Sequence, residues 1–360
     1  MTLTTEIIPE TLPELKPDIK EFTREELTRW FHEKGIQPYR TTQIMSWIYL
    51  KRVDSFDEMT NISKANRKLL TENFSFSKPY KKQIEVSADR SKKYLFGLKD
   101  GNCIETVLIP EKNHYTLCIS TQVGCAMGCR FCMTAKSGLI RNLTQAEIIN
   151  QVLGALKDVT GEKQLTNIVL MGMGEPLANY ENVIRAIHIL TDNDNGMQFS
   201  TRRVTLSTSG LITKFDELGR DTKINLAISL NATDNHTRSM LMPINKKYPL
   251  EQLIDACARY QLAPRNKITF EYILIQGIND SIEDAHRLTK LLKPVKAKIN
   301  LIPFNEHAGC EFKRPEESVI LKFQEVLHQK GYTSIIRRSK GQDISAACGQ
   351  LSAQKSSSNT

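Results

Sequence analysis

The sequence predicts an α/β protein built on a partial (β/α)6 TIM-like barrel, with a small N-terminal helical module and a β-hairpin extension. Three observations carry this. From Tyr115 onward, short apolar runs alternate six times with amphipathic stretches, the pattern of a parallel sheet wound by right-handed crossovers. Ahead of them lies a segment whose apolar residues recur at every second position, and ahead of that one with the spacing of helices. A doubly wound open sheet shows the same alternation, so the pattern gives the class without choosing between a curled and an open sheet.

Residues 1 to 22 are polar and punctuated by Pro9, Pro13 and Pro17, and read as a flexible arm. Residues 23 to 80 read as the helical module. Thr23-Arg-Glu-Glu26 is a capping box, followed by Leu27, Trp30 and Phe31 on one face and a Gly35 stop. Residues 41 to 49 and 62 to 74 continue it as helices. Residues 81 to 110 read as a hairpin connector: from 83 to 109 the pattern switches to alternation, with Tyr94-Leu-Phe-Gly97 and Ile104-Glu-Thr-Val-Leu-Ile109 flanking Asp100-Gly101. Residues 111 to 340 form the core. Its strands are predicted at 116–120, 167–172, 203–208, 225–230, 268–275 and 299–304, and its helices at 145–159, 181–191, 250–260, 282–292 and 317–329. Residues 341 to 360 form a C-terminal segment with a disordered end.

In either kind of sheet, ligands gather at the carboxyl ends of the strands. Gly124-Cys-Ala-Met-Gly-Cys-Arg-Phe-Cys-Met133 directly follows the first strand and sets Cys125, Cys129 and Cys132 in a C-x3-C-x2-C run. Three thiolates are too few for a four-cysteine cage, yet they can hold three irons of a [4Fe-4S] cube and leave the fourth open to a small ligand. Structural zinc usually takes paired C-x2-C units or Cys/His pairs, and no second unit follows, so zinc is the weaker reading. Phe131 offers an apolar ring to shield a cluster, or simple packing. The other strand ends are also polar. Met171-Gly-Met-Gly-Glu-Pro176, Ser207-Thr-Ser-Gly210, Ser229-Leu-Asn231 and Asn305 fall at the same edge, where Glu175 can bind an ammonium group.

Composition bounds the rest. No run of eighteen apolar residues exists, so no membrane span is expected. Eight cysteines in 360 residues, with no secretory region after Met1, fit a reduced compartment, and a cytoplasmic location is expected. The net charge of +9 permits a polyanionic partner. Residues 1 to 80 are balanced, with twelve basic and twelve acidic side chains. The excess lies in Lys81, Lys82, Arg90, Lys92, Lys93 and Lys99, and again in Arg337, Arg338 and Lys340.

Four segments carry a resemblance: Cys118-Ile-Ser-Thr-Gln-Val-Gly-Cys-Ala-Met-Gly-Cys-Arg-Phe-Cys132, Met171-Gly-Met-Gly-Glu-Pro-Leu177, Leu241-Met-Pro-Ile-Asn245 and Gly341-Gln-Asp-Ile-Ser-Ala-Ala-Cys-Gly-Gln-Leu351. The cysteine run with a downstream Gly-Glu strand end resembles the radical S-adenosylmethionine (SAM) superfamily. Together the segments resemble the dual-specificity 23S rRNA and tRNA adenine-C2 methyltransferase family, from the helical module to the last helix-like segment.

The resemblance implies methylation at C2 of an adenosine in the peptidyl transferase centre of 23S rRNA and of the adenosine 3′ to the anticodon in some tRNAs. Carbon 2 lies between two ring nitrogens and is electron-poor, so direct transfer of an electrophilic methyl is a poor reaction and a radical route is needed. The family route uses a [4Fe-4S] cluster on Cys125, Cys129 and Cys132 and two SAM per turnover. One SAM methylates Cys348; the second binds the open iron and is cleaved to a 5′-deoxyadenosyl radical, which takes a hydrogen from that methyl. The methylene carbon adds to the base, and Cys118 attacks the sulfur of Cys348 to release product with a transient disulfide.

By the same resemblance Glu105 matches the proton acceptor, and Gly174, Glu175, Ser207, Ser229, Leu230, Asn231 and Asn305 match SAM contacts. Asn231 stands where the common pattern has histidine. Cys103, Cys257 and Cys310 match no role and read as packing residues. The helical module and hairpin are expected to contact the RNA backbone while the barrel mouth receives a flipped base. A reducing electron-transfer protein such as flavodoxin or ferredoxin, and a monomeric state, are further expectations. A C8-directed antibiotic-resistance methyltransferase shares the two extra cysteines and is the near rival. A radical SAM enzyme on a non-RNA substrate is the distant one, and the Cys118 and Cys348 pair argues against a mere cluster carrier.

Overall fold

The computed structural model describes residues 16–263, 265–307 and 309–352. The chain divides into two compact units between Lys78 and Pro79. In the first, α1 (Arg24–Glu33) starts at the Thr23 capping box: Glu26 N–H donates to Thr23 Oγ1 at 3.2 Å and Thr23 N–H to Glu26 Oε2 at 2.7 Å. α2 (Tyr39–Met45) runs on through a π-helical turn, Ser46–Leu50, and α3 (Lys64–Asn73) is capped by Ser63. Leu27, Phe31, Ile44, Ile48, Met59 and Leu70 bury their side chains in this unit's own core.

The arm expected over residues 1 to 22 is corrected at its end. Ile19–Glu21 is a 3-10 turn whose cap, Asp18, accepts N–H bonds from Lys20 at 2.9 Å and Ser77 at 2.7 Å, while Ile19 N–H donates to Ser75 O at 3.0 Å. A buried carboxylate with two N–H donors fixes a segment that its polar composition alone suggested was loose. Residues 1 to 15 lie outside the described residues, as does the expected disordered end from residue 353.

The second unit is one ten-stranded sheet with helices packed on it. β2 (Lys92–Gly97) and β3 (Cys103–Pro110) pair antiparallel as the hairpin expected around Asp100-Gly101, and β1 (Tyr80–Val86) adds a third antiparallel strand on β2. β4 (His114–Cys118) pairs antiparallel with β3. A two-stranded ribbon, β5 (Gln122–Gly124) and β6 (Leu139–Asn142), flanks the one-turn α4 (Met133–Lys136).

Then come α5 (Gln145–Leu156), β7 (Gln164–Leu170), α6 (Tyr180–Thr191), β8 (Val204–Thr208), α7 (Phe215–Asp221) and β9 (Asn225–Ser229). α8 (Asn235–Leu241), α9 (Leu250–Arg259), β10 (Ile268–Leu274), α10 (Ile282–Leu291), β11 (Ala297–Pro303), α11 (Glu317–Gln329) and β12 (Ser334–Ile336) complete it.

Neighbour order in the sheet is β1-β2-β3-β4-β7-β8-β9-β10-β11-β12, and every pairing from β4 to β12 is parallel. The order never reverses. A doubly wound sheet reverses at its switch point, so the sheet is singly wound and takes the partial-barrel form. Apolar side chains fill the interface beneath the helices, among them Phe270, Leu301, Leu288, Ile320 and Phe323, each buried to 1% exposure or less. Among the described residues no helix is long and apolar enough to cross a membrane.

Candidate active site

A cavity of about 400 Å³ opens at the carboxyl ends of the parallel strands. Five of the eight cysteines line it: Cys118, Cys125, Cys129, Cys132 and Cys348. The strand sequences put them there. β4 ends on Cys118, the loop after it carries the C-x3-C-x2-C run, and the segment after β12 brings Cys348 back to the same mouth.

The cysteine loop is shaped by glycine and pinned by backbone bonds. Gly124 has φ 76°, and a Cβ there would lie 1.9 Å from Gly138 O, so no other residue fits beside the ribbon. Cys125 N–H donates to Gly138 O at 2.9 Å, Arg130 N–H to Leu241 O at 3.0 Å and Met133 N–H to Gly349 O at 2.7 Å. Phe131 is buried with Leu241, Met242, Ile275, Phe304 and Phe312, giving the loop an apolar floor.

Burial pushes the Cys125 thiol up to about 11 against a Met127 N–H bond, with Glu175 and Cys132 adding to the rise. Cys129 is raised further by desolvation, then by Cys132 and Cys125. Thiols that oppose one another's ionisation are a donor set that becomes anionic when a cationic group binds. Among the described residues no three His, Cys, Asp or Glu converge on a point that suits a single metal ion. A four-iron cube needs no such point, because each cysteine binds a different iron, and the residues present fit it.

Beside the loop, Gly174 (φ 102°) turns the chain where a Cβ would come within 2.6 Å of Gln122 Cβ. Glu175 is buried, and burial raises its pKa against the bonds it accepts: Ser209 N–H at 2.7 Å, Ser209 Oγ at 2.8 Å and Leu177 N–H at 3.1 Å. Those donors fix both carboxylate oxygens at the cavity wall. Ser207 and Ser229 also line it. Asn231 lies in the left-handed region at φ 57°, which asparagine tolerates better than most residues. Its Oδ1 accepts Ile273 N–H at 2.9 Å, so the side chain is engaged in holding β9's end to β10.

Cys118 and Cys348 stand close enough to influence each other's ionisation, and both are free. Desolvation pushes Cys118 up to about 12, aided by Cys348 and countered by Arg337. Cys348 is exposed to the cavity yet surrounded by protein, and its thiol is raised by desolvation and lowered by Arg337. Burial works against the Arg337 charge, but Cys348, Glu271 and Cys118 hold its pKa above the ordinary value. Glu271 accepts Ser207 Oγ at 2.7 Å.

Glu271, Ser209 and Arg337 therefore belong to the cavity although the sequence did not single out their roles. Glu271 had one legible signal, a lone carboxylate in the apolar strand Ile268-Thr-Phe-Glu-Tyr-Ile-Leu274. Arg337 read as part of a surface basic cluster. Arg238 is also buried, donating to Leu230 O at 3.1 Å and Ser209 O at 2.7 Å; desolvation lowers its pKa to about 10, with Cys129 opposing.

Three sequence-selected residues are absent from the cavity lining. Leu230 is fully buried, its N–H on Glu271 O at 2.9 Å. Asn305 sits behind the wall, donating from Nδ2 to Cys348 O at 3.3 Å. Glu105 lies on β3, where its Oε2 accepts Ser352 N–H at 2.8 Å and Lys93 Nζ stands 3.5 Å from Oε1. Cys103 and Cys257 are buried, and Cys310 packs beside the Phe131 cluster.

Family models match two stretches of the chain. The ribosomal RNA large subunit methyltransferase N-terminal domain matches residues 17–75, and the radical SAM superfamily matches residues 119–289. The dual-specificity RNA methyltransferase RlmN of Desulfosudis oleivorans is 59% identical over 339 residues, covering 94% of this chain and 91% of that protein. Its counterpart in Geobacter sulfurreducens is 52% identical over 334 residues, covering 93% and 91%. Among solved structures, a radical SAM methyltransferase from Sphaerobacter thermophilus superposes with a TM-score of 0.87 at 40% identity, covering 94% of this chain and 100% of that one.

Proposed function

The chain belongs to the dual-specificity RNA methyltransferase RlmN family of radical SAM enzymes, and from that premise we propose that it methylates C2 of an adenosine in 23S rRNA and of the adenosine 3′ to the anticodon in some tRNAs. One observation supports this most directly: Cys118 and Cys348 share a single cavity with the three-cysteine loop. Cluster binding and SAM cleavage need only the loop and the strand ends, whereas two further cysteines in the same cavity are what a cysteine-borne carbon requires.

Cys125, Cys129 and Cys132 would hold the cluster, and Glu175, Gly174, Ser207, Ser229 and Asn231 would hold SAM, with two SAM used per turnover. When bound, the cluster and SAM supply the radical that activates the methyl group on Cys348. The chain's residues do the rest. Cys348 carries the carbon to the base, and the cavity's apolar floor at Phe131 and Met242 keeps water from the reacting atoms. Once the adduct has lost its C2 proton and one electron, which the cluster would take back, Cys118 attacks the Cys348 sulfur. The S–S bond forms as the S–C bond breaks, and the carbon keeps that electron pair and takes up a proton to stand as the methyl on the base. Arg337, beside both sulfurs, stabilises the thiolate that attacks.

Glu105 in the role of proton acceptor would take the proton while Oε2 holds the Ser352 N–H. Leu230 and Asn305 support the SAM site and the Cys348 loop from behind. RNA enters at the strand-end mouth; a reducing protein such as flavodoxin or ferredoxin supplies electrons, and the enzyme acts as a monomer in the cytoplasm. Mass spectrometry of digested substrate RNA after turnover tests the proposal: 2-methyladenosine is the product expected, and 8-methyladenosine would assign the chain to C8 chemistry.

A further inference from the structure

The segment that carries Cys348 is fastened on both sides of the thiol. Upstream, two carboxylates reach across between two loops. Asp343 accepts Ser87 Oγ at 2.5 Å and Ala88 N–H at 2.9 Å, and Asp89 in return accepts Gly341 N–H at 2.9 Å. Lys93 Nζ donates to Ile344 O at 2.6 Å. Downstream, Met133 N–H holds Gly349 O at 2.7 Å and Thr134 Oγ1 holds Leu351 O at 2.6 Å.

Both loops are shaped for this junction. The Ser87 loop closes on itself, with Ser87 N–H on Ser91 O at 2.9 Å and Asp89 Oδ1 taking Ser91 N–H at 2.9 Å. Opposite it, Gly341 (φ 65°) and Ser345 (φ 51°) both take left-handed backbone, and Ala346 N–H returns to Gly341 O at 2.8 Å. A left-handed serine is uncommon and persists where its surroundings hold it. Neither Asp89 nor Asp343 lines the cavity, so neither touches a ligand there.

We propose that Asp89 and Asp343 form a clasp that positions Cys348 for its reaction with Cys118. The proposal rests on the thiol pairing described under the proposed function. A loop free at its upstream end would let the Cys348 sulfur sample a wide volume. Fixing that end confines the sulfur near Cys118 and raises the effective concentration of one thiol at the other. Asp89 and Asp343 are thus positioning residues for the release step.

The test is the equilibrium of the Cys118–Cys348 disulfide in cluster-loaded protein whose Cys348 carries no methyl group, held anaerobically in glutathione buffers. One oxidised glutathione takes up the two electrons as the protein disulfide forms and leaves as two reduced glutathiones with both thiol protons. Acid quench, alkylation and peptide mass spectrometry give the effective concentration. Asp343 is exposed, so Asp343→Ala spares the fold; it and Asp89→Ala should each lower the effective concentration about tenfold, with Asp343→Asn between.

Ile320→Val, which removes a buried methyl on α11 and none of the bonds that fasten the loop, should leave it within about twofold of the unaltered protein. Aspartate variants matching the unaltered protein, or an equal fall in Ile320→Val, would overturn the clasp. Should the unaltered protein itself form no Cys118–Cys348 disulfide, the thiol-pairing reading goes first and the clasp goes with it.

Discussion

Glu105 accepts the backbone N–H of Ser352 at 2.8 Å, so the carboxylate matched to proton removal is also a tether on the segment that carries Cys348. The two jobs separate in Glu105→Gln. That variant keeps an acceptor oxygen for Ser352 but cannot take the C2 proton. It should still methylate Cys348 and couple to RNA, then stall. With substrate RNA deuterated at adenine C2, the stalled adduct should retain its deuterium; normal turnover by Glu105→Gln would place the base elsewhere, among the carboxylates that line the cavity, of which Glu271 is one.

Anaerobically purified protein should contain about one [4Fe-4S] cluster, read by iron and sulfide analysis. Replacing Cys125, Cys129 or Cys132 by Ala takes from one iron its protein ligand and should abolish both the cluster and reductive SAM cleavage. Stoichiometric zinc without iron would contradict the assignment.

The basic residues of the meander now divide into two groups. Lys92 is half-buried at the start of β2, while Lys93 is 7% exposed and committed to Glu85, Glu105 and Ile344 O. Lys92→Glu should weaken RNA binding and flatten its salt dependence by about 0.7 in log–log slope for each phosphate that is no longer neutralised. SAM cleavage without RNA should be unchanged. Lys93→Glu should instead free the Cys348 segment and block methyl transfer whatever the salt. Equal behaviour of the two variants in salt titrations would refute this division.

What the sequence made legible follows the range of the interactions. The Thr23 capping box, the core helices and the strand-end cysteine loop depend on neighbours a few residues away, and periodicity exposes them. β1 stayed hidden because an edge strand exposed along most of its length, Tyr80–Val86, carries charge on both faces. β12 has three residues, too few for a period. Glu271 and Arg337 are charges, which composition assigns to the surface; only the curl of the sheet shows that they face inward. Asp89 and Asp343 reach each other's loops across about 250 positions, a pairing that no local pattern announces.

Release of product should depend on pH through Cys118. Desolvation, then Cys348, raises its pKa to about 12, so little thiolate exists at neutral pH. The rate of adduct decay in a single turnover should rise about tenfold per pH unit between about pH 7 and 9. The raised pKa also has a stability consequence: the contribution is complete below the unfolded thiol's value of about 8.5 and is lost as pH climbs toward 12. Release independent of pH would mean that Arg337 already holds Cys118 as thiolate.

Removing each of the two non-cluster cysteines in turn tests the cysteine-borne carbon most directly. Cys348→Ala should keep its cluster and cleave SAM reductively, yet transfer no carbon to RNA. Cys118→Ala should begin the reaction and stop with protein covalently bound to RNA, because no thiol remains to release the intermediate. A denaturing gel of Cys118→Ala purified from cells, run with and without ribonuclease, measures this. A slow-migrating, nuclease-sensitive band is predicted; full activity with no such band would show that Cys118 is only a packing residue and contradict the cysteine-borne carbon.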